Sequence, residues 1–310
     1  MAYDLTEINL RTVKDPKEFC AECEEGYNKK VKRAAKLIAE NLTKSPIVLL
    51  SGPSGSGKTT TSVKVSEELE KLGIGTHYVA MDDYFLTVTP ETTPRTPEGD
   101  YDLESPLCLD MKLLRKHFAD LTEGKRIFVP KYEFSRQMRE TTPSKSIRLK
   151  KDEICIFEGI HALNDEIAGS FPEAFKLYVS AKSTVGLGGN TVFKNTWFRL
   201  VRRLVRDNSF RGAEPEETMK MWANVRRGEK LYISPYKEKA DYQLDTVLAC
   251  EAPVLNRRAT EMFRSIPEGI ERYDELRAVL PALQLFGEIG EECVSEDSLL
   301  REFIGGGIYG

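Results

Sequence analysis

Between Ser51 and Thr60 the chain reads SGPSGSGKTT, a complete G-x-x-x-x-G-K-[ST] pattern running from Gly52 to Thr59. No other stretch constrains the fold as tightly, because the pattern works only between a buried strand and a helix N-terminus. Both flanks fit. Residues 46–50 (PIVLL) have the length and β-branched content of a buried strand, and Val63, Val65, Leu69 and Leu72 follow at roughly helical spacing. Glycines at 52, 55 and 57 let successive N–H groups turn inward toward phosphate oxygens, and the helix N-terminus adds its positive dipole end. Ser54, Ser56 and Thr60 complete the cradle, Lys58 reaches the β and γ phosphates, and the Thr59 hydroxyl ligates Mg²⁺. The alternative, an ordinary glycine-rich turn before a helix, needs no such set of fixed positions.

A chain of 310 residues predicts either one large domain with appendages or two domains. Its 40% apolar content and net charge of -4 indicate neither disorder nor a strongly electrostatic partner, so nucleic acid is not the default ligand. No apolar run reaches the length of a membrane span, and the N-terminal MAYDLTEINL lacks a basic segment followed by an apolar one. A soluble, cytoplasmic protein is expected. The scattered cysteines suit a reducing compartment, with Cys108, Cys155 and Cys250 among apolar residues as small hydrophobes would be. Cys20 and Cys23 form the only CxxC. A zinc site there lacks a second pair and a nearby histidine, which favours two helical cysteines.

Residues 1–45 read as a helical lead-in, with Ala34, Leu37, Ile38 and Leu42 on one face. From 46 onward, strand candidates at 46–51, 76–81, 126–130, 153–158, 174–180 and 243–249 alternate with helices. That rhythm predicts an α/β fold, a mostly parallel sheet with helices on both faces, in a core spanning 46–250. Asp110 reads as an N-cap for a helix whose apolar face is Leu113, Leu114, Phe118 and Leu121, ending at Gly124. Residues 87–106, rich in Thr, Pro and Glu, are expected to form a long functional or mobile loop. Residues 183–195, with Gly186, Gly188 and Gly189, are expected to be a second flexible stretch. Beyond 250 the strand rhythm fades into a helical C-terminal extension, 251–310. Its Leu299, Leu300, Phe303 and Ile304 are too apolar for water and imply packing or homo-oligomerisation.

Phosphoryl transfer needs a phosphate cradle, a metal holder, a base for the acceptor hydroxyl and cations for the developing charge. Asp82 and Asp83 end the strand at 76–81, at the carboxyl edge where ligands of open parallel sheets bind. Asp82 is the candidate base, with a possible second role holding metal-bound water; capping the next element is the plainer reading. Glu158 ends the apolar run 154–157 and is placed near Mg²⁺. Residues 196–207 (TWFRLVRRLVRD) set Arg199, Arg202, Arg203 and Arg206 along one helix side, and Arg211 follows. A solvated basic face or a nucleic-acid patch would look similar. With the phosphate loop and an acidic chain, a cationic lid over about 196–230 is the better reading.

Taken together, GPSGSGKTT, MDDYF (81–85), PKYEFSRQMR (130–139), IFEGIHALN (156–164) and RRLVRDNSFRG (202–212) resemble the uridine kinase family, within the uridine kinase and phosphoribulokinase group. The stretch from Arg202 to Asp241 and the tail SLLREFIGGG look like a bacterial nucleoside kinase branch. Members of that branch often carry an N-terminal region similar to part of threonyl-tRNA synthetase, for which the stretch before Pro46 is expected to leave no room. The resemblance implies a P-loop kinase fold, ATP and Mg²⁺ as cosubstrates, and a small-molecule acceptor phosphorylated at a nucleoside 5′-hydroxyl. By position, Asp82 matches the catalytic aspartate, Phe85 and Tyr132 match aromatic positions of the nucleoside site, and Asp102 matches a carboxylate that binds sugar hydroxyls. Asp83 and Arg139 fall on the same acceptor side, while Arg202, Arg206 and Arg211 match the lid. Gln137 stands where uridine-cytidine kinases place a base-reading histidine, Ala213 replaces an arginine, and Met221 falls near a glutamine position. The alternatives are a polyol, sugar or vitamin-like acceptor, or an ATP-binding regulatory or RNA-associated protein that uses the loop as a switch.

Overall fold

The computed structural model describes residues 2–270 and 273–309; Met1, Glu271, Arg272 and Gly310 lie outside them. The chain opens with β1 (Ala2–Asp4), α1 (Leu5–Lys14) and α2 (Pro16–Asn41), and continues with β2 (Ile47–Ser51), α3 (Lys58–Lys71), β3 (Gly75–Ala80) and α4 (Met111–Thr122). Short strands β4 (Ile127–Val129), β5 (Tyr132–Glu133), β6 (Met138–Arg139) and β7 (Lys145–Ile147) lead to β8 (Glu153–Glu158), α5 (Asp165–Ala168) and β9 (Phe175–Ser180). The remainder is β10 (Thr184–Leu187), β11 (Asn190–Phe193), α6 (Asn195–Arg211), α7 (Pro215–Gly228), β12 (Tyr242–Asp245), α8 (Glu251–Ser265), α9 (Tyr273–Leu283) and α10 (Arg301–Ile304).

Five parallel strands form the main sheet in the order β12-β9-β2-β8-β3. All five residues of β2 are buried, which a strand achieves only at the centre of a sheet covered on both faces. The period of two then divides its side chains. Val48 and Leu50 join the core under α2, α3, α6 and α8, whereas Ile47 and Leu49 join the core under α4 and α5. The expected α/β architecture is therefore present, with the phosphate loop leaving the middle strand at its carboxyl end. The Asp110 cap is also present: its side chain accepts from the Leu113 N–H at the start of α4.

Three expectations are corrected. The candidate strand 126–130 does not join the main sheet; β4 pairs antiparallel with β7. Its Phe128 stands in solvent between buried Ile127 and Val129, a half-buried pattern, and Pro130 removes the next donor. The glycine-rich stretch 183–195 is an ordered hairpin, β10–β11, turned at Gly188 and Gly189 with φ of +57° and +84°. Its outer edge is covered by β1, so the N-terminal lead-in begins with a strand. Finally, α6 lies inside the main core, packed on α8 and α10, and cannot swing as a lid segment without unpacking Phe198, Leu200, Leu204 and Val205. The tail residues Leu299, Leu300, Phe303 and Ile304 are buried within the same core. No helix among the described residues is long and apolar enough to cross a membrane.

Candidate active site

The phosphate loop is shaped by close approach and held from outside. A Cβ at Gly52 would lie 1.9 Å from the Val179 carbonyl oxygen, so only glycine lets the loop leave β2 beside β9. Gly55 and Gly57 take φ of +72° and +82°, the left-handed region that folds the backbone into a cup. The loop carbonyls are drawn away from that cup. Arg199 Nε donates to Ser54 O at 2.9 Å, Arg202 Nη1 to Gly55 O at 3.3 Å, and Thr246 Oγ1 to Ser56 O at 2.8 Å. Arg203 Nη1 donates to the Ser54 hydroxyl at 3.1 Å. Fixing carbonyls on the outer side leaves the N–H side to an anion. The Ser56 hydroxyl is buried with no hydrogen-bond partner among the described residues, a polar orphan that a phosphate oxygen would satisfy.

Lys58 opens α3 and bends back, with its ammonium 3.4 Å from Pro53 O and 3.7 Å from Glu158 Oε1. Glu158 ends β8 and accepts from the Tyr78 hydroxyl at 2.8 Å. Asp82 follows the neighbouring strand β3, two residues after Ala80, which pairs in register with Glu158. The two carboxylates thus share the carboxyl edge of the sheet with the phosphate loop. Burial in the protein body, followed by repulsion from Glu158, pushes the Asp82 carboxyl up to about 6, while Lys58 and Arg211 pull it down. Solvent still reaches Asp82 through the open cleft, so the burial contribution grows when a ligand fills it. Thr59 offers an exposed hydroxyl at the mouth of the loop. A hydroxyl with one or two carboxylates is a hard-oxygen donor set that fits Mg²⁺, which takes its other positions from phosphate and water. Consistent with that, no group of three or more His, Cys, Asp or Glu side chains forms a cage among the described residues.

The arginines divide into two groups. Arg202, expected on the nucleotide, is fully buried and makes a bidentate pair with Glu251 at 2.5 and 2.6 Å. Its remaining donors go to Thr246 and Gly55, so it is a strut behind the loop. Arg206 and Arg211 converge on one carboxylate: Asp207 Oδ1 lies 2.7 Å from Arg206 Nη2 and 3.6 Å from Arg211 Nε, and Asp207 Oδ2 is 3.1 Å from Arg203 Nε. Arg211 keeps most of its side chain in solvent and acts electrostatically on Asp82. Arg206 is mostly buried on Asp207, whereas Arg211 reaches the solvent of the cleft.

On the acceptor side, Phe85, Tyr132 and Phe134 form a three-ring cluster with centroids 5.1–6.2 Å apart. With Leu107, Thr93 and Gln137 they line a cavity of about 140 Å³. Phe85 and Leu103 also line the cleft that contains Asp82 and Ser54, so the two spaces lie on either side of the same side chains. Gln137 sits in the β5–β6 turn at φ +50°, and its carbonyl accepts from the Val88 N–H at 3.0 Å, closing the loop over the cavity.

Three expected acceptor contacts are otherwise engaged. Asp102 is buried and held by Arg227 at 3.2 Å and the Tyr232 hydroxyl at 2.7 Å. Arg139 is pinned to Asp110 at 2.8 Å and Tyr84 O at 2.6 Å, fastening the hairpin to the sheet edge. Asp83 accepts from the Tyr132 backbone and supports the same hairpin. Glu104, two residues beyond Asp102 in the long loop, lines the Asp82 cleft instead; burial pushes its carboxyl up against the pull of Arg203. His161 is a further surprise: its ring is buried against the Tyr232 and Glu104 backbones, and burial pushes its pKa down to about 4 while those backbone groups pull it up. Its ring meets Tyr232 edge-on at 6.2 Å. Nothing in the sequence marked Glu104 or His161 beyond their neighbourhood to residues that were marked, whereas Arg203 stood in the arginine run read as a lid.

Comparison with known proteins shows the family. Residues 47–251 fit the profile of the Phosphoribulokinase / Uridine kinase family. The chain belongs to that family. It is accordingly an ATP-dependent kinase with the P-loop α/β fold. It is 29% identical over 201 residues to the uridine kinase of Staphylococcus epidermidis, covering 64% of this chain and 87% of that protein. To the uridine kinase of Saccharomyces cerevisiae it is 28% identical over 196 residues, covering 63% of this chain and 36% of that one. Among solved structures it is similar to D-glycerate 3-kinase from Cryptococcus neoformans, with a TM-score of 0.44, 14% identity, and 66% and 88% of the two chains covered.

Proposed function

We propose that the protein transfers the γ-phosphoryl group of ATP to the 5′-hydroxyl of a nucleoside, with uridine and cytidine as the leading acceptors. The observation that carries this reading is the aromatic cavity opening beside Asp82. Its 140 Å³ suits a single flat ring, since an apolar cavity near 150 Å³ holds benzene. Phe85, Tyr132 and Phe134 offer ring faces on which a flat base can stack, a contact that a sugar or linear polyol makes less well. The Gln137 amide carries a donor and an acceptor and complements the polar edge of a pyrimidine.

In this reading Asp82 takes the proton of the acceptor hydroxyl as its oxygen attacks the γ phosphorus and the bond to ADP breaks. A base whose carboxyl sits near 6 is largely ionised at pH 7 yet basic enough to accept that proton. Lys58 follows the charge between the β and γ phosphates. Arg206 and Arg211, oriented by Asp207, meet the charge that develops on the departing groups. Thr59 and Glu158, the latter directly or through water, together with water on Asp82, would hold Mg²⁺, which when bound neutralises phosphate charge.

The test is ADP release in a coupled assay with nucleosides, sugars, polyols and vitamin-like alcohols as acceptors. Stimulation by uridine or cytidine is expected. Stimulation only by a polyol would transfer the reading to that acceptor, and no stimulation by any hydroxyl compound would refute it.

A further inference from the structure

The C-terminal segment lies along the nucleotide-binding helix and touches it at one face. Residues 57, 60, 64 and 67 recur at helical spacing, and each meets the tail or its supports. A Cβ at Gly57 would lie 2.7 Å from Leu299 Cδ1. Lys64 lies 3.6 Å from Asp297 Oδ2, and also 3.0 Å from Glu24 Oε1, whose other oxygen accepts from the Ser298 hydroxyl at 2.7 Å. The Tyr309 hydroxyl donates to Glu67 Oε2 at 2.9 Å. At residue 60 the contact changes in kind. Glu302 Oε2 accepts from both the Thr60 backbone N–H, at 3.2 Å, and the Thr60 hydroxyl, at 2.7 Å.

Thr60 is the third residue of α3, and the first turn of a helix has N–H groups with no partner inside the helix. Directly after a G-x-x-x-x-G-K-[ST] loop, those donors and the dipole behind them are where phosphate oxygens bind. Here a carboxylate of the same chain occupies them. The tail backbone that carries it is fixed, because Leu300, Phe303 and Ile304 are buried in the main core and Phe303 packs against the Arg202 guanidinium, 5.1 Å from the ring centroid. Glu302 itself is only partly buried. Two anions cannot share the same pair of donors at hydrogen-bond distance.

We infer that Glu302 is an internal competitor for the nucleotide α-phosphate, an anion held on the Thr60 donors that ATP must displace to seat fully in the loop. The inference rests on the reading that this loop binds ATP. It assigns the tail a direct part in setting nucleotide affinity, beyond covering apolar surface. In the empty protein Glu302 satisfies the helix N-terminus; in the loaded protein its carboxylate turns away and the two donors pass to phosphate.

Equilibrium titration of ATP and ADP by calorimetry, on the wild type and on Glu302→Ala and Glu302→Gln, tests it without any turnover. Hydrogen bonds to a charged group are worth enough that Glu302→Ala should bind ATP about tenfold more tightly. Glu302→Gln keeps one acceptor oxygen without the charge and should fall between. The nucleotide-free Glu302→Ala protein should melt lower than wild type, since the helix start loses its acceptor, while its melting shift on adding ATP is larger. Equal or weaker ATP binding in both variants, with wild type binding normally, would overturn the inference alone. Absence of ATP binding in all three proteins would overturn it together with the ATP reading.

Discussion

Replacing Glu251 with alanine tests whether Arg202 supports the loop or serves the nucleotide. Both side chains are 0% exposed, and the pair is bidentate at 2.5 and 2.6 Å. Removing the carboxylate leaves a guanidinium in the core with Thr246 and the Gly55 carbonyl as its hydrogen-bond acceptors and no countercharge in contact, and breaking one partner from such a pair costs about 3–5 kcal/mol. An unfolding entropy near 2.1 cal/mol/K per residue over 310 residues gives about 0.65 kcal/mol/K, so the Tm should fall by about 5–8 °C. Calorimetric melts with and without ATP read this directly. The double variant Arg202→Met, Glu251→Leu should recover most of the lost stability, because an apolar pair of similar volume replaces the desolvated charges. Its ATP affinity should stay weakened, since the Gly55 carbonyl and Thr246 lose their donor. A Tm loss under 2 °C for Glu251→Ala would refute the strut. So would an Arg202→Met protein that melts like wild type but no longer binds ATP, because that pattern belongs to a nucleotide contact.

Asp82→Asn should lower kcat by about 10²- to 10⁴-fold while leaving the ATP dissociation constant within a few-fold, measured by the coupled ADP assay and by calorimetry. Unchanged turnover would remove Asp82 from its role. The wild-type rate should rise with pH through a carboxyl titrating near 6, and the Asp82→Asn remnant should lack that limb. The same raised carboxyl has a stability consequence. Its folded value exceeds its unfolded one, so the native state binds the extra proton between about pH 4 and 6 and loses relative stability as pH rises through that window. Asp82→Asn should therefore melt higher than wild type at pH 8, and the difference should vanish at pH 4; a gain that persists at pH 4 would show another cause. Gly52→Ala should abolish ATP binding, because its Cβ would sit 1.9 Å from a backbone oxygen that no side-chain rotation can relieve. Retained affinity in that variant would mean that the loop leaves β2 by another path.

The donor half of the site was legible because it is local. A contiguous pattern supplied the loop, the apolar run before it named the central strand, and the residue at each strand end placed Asp82 and Glu158 on one edge. The acceptor half resisted because its polar groups are defined by partners remote in sequence. Asp102 read as a sugar-binding carboxylate only while Arg227 and Tyr232, more than a hundred residues away, were invisible. Glycines also misled in one place and not in another. Those at 188 and 189 turn a tight hairpin, whereas the same composition without flanking strands would have been a mobile loop.

The arginine helix shows where the missing information lies. A run of cations spaced along one face of a helix predicts a solvated or ligand-facing stripe, since buried charges are rare unless paired. Here the pairing is what decides each role. Arg199 and Arg202 find Glu229 and Glu251, acids that lie 30 and 49 residues further along the chain, and so they turn into the core. Arg206 and Arg211 find Asp207 on their own helix, within one turn, and that short-range acid is visible in the sequence as a clue. Of the arginines tied to Asp207 on their own helix, Arg211 at its end stays in solvent, where a phosphate can compete for it. One claimed by an acid from another element becomes structure. The same logic joins Glu302 to Thr60 across 242 residues, with the sign reversed: there the acid is the distant group, and the donors it occupies stand in the first turn of the helix after the phosphate loop.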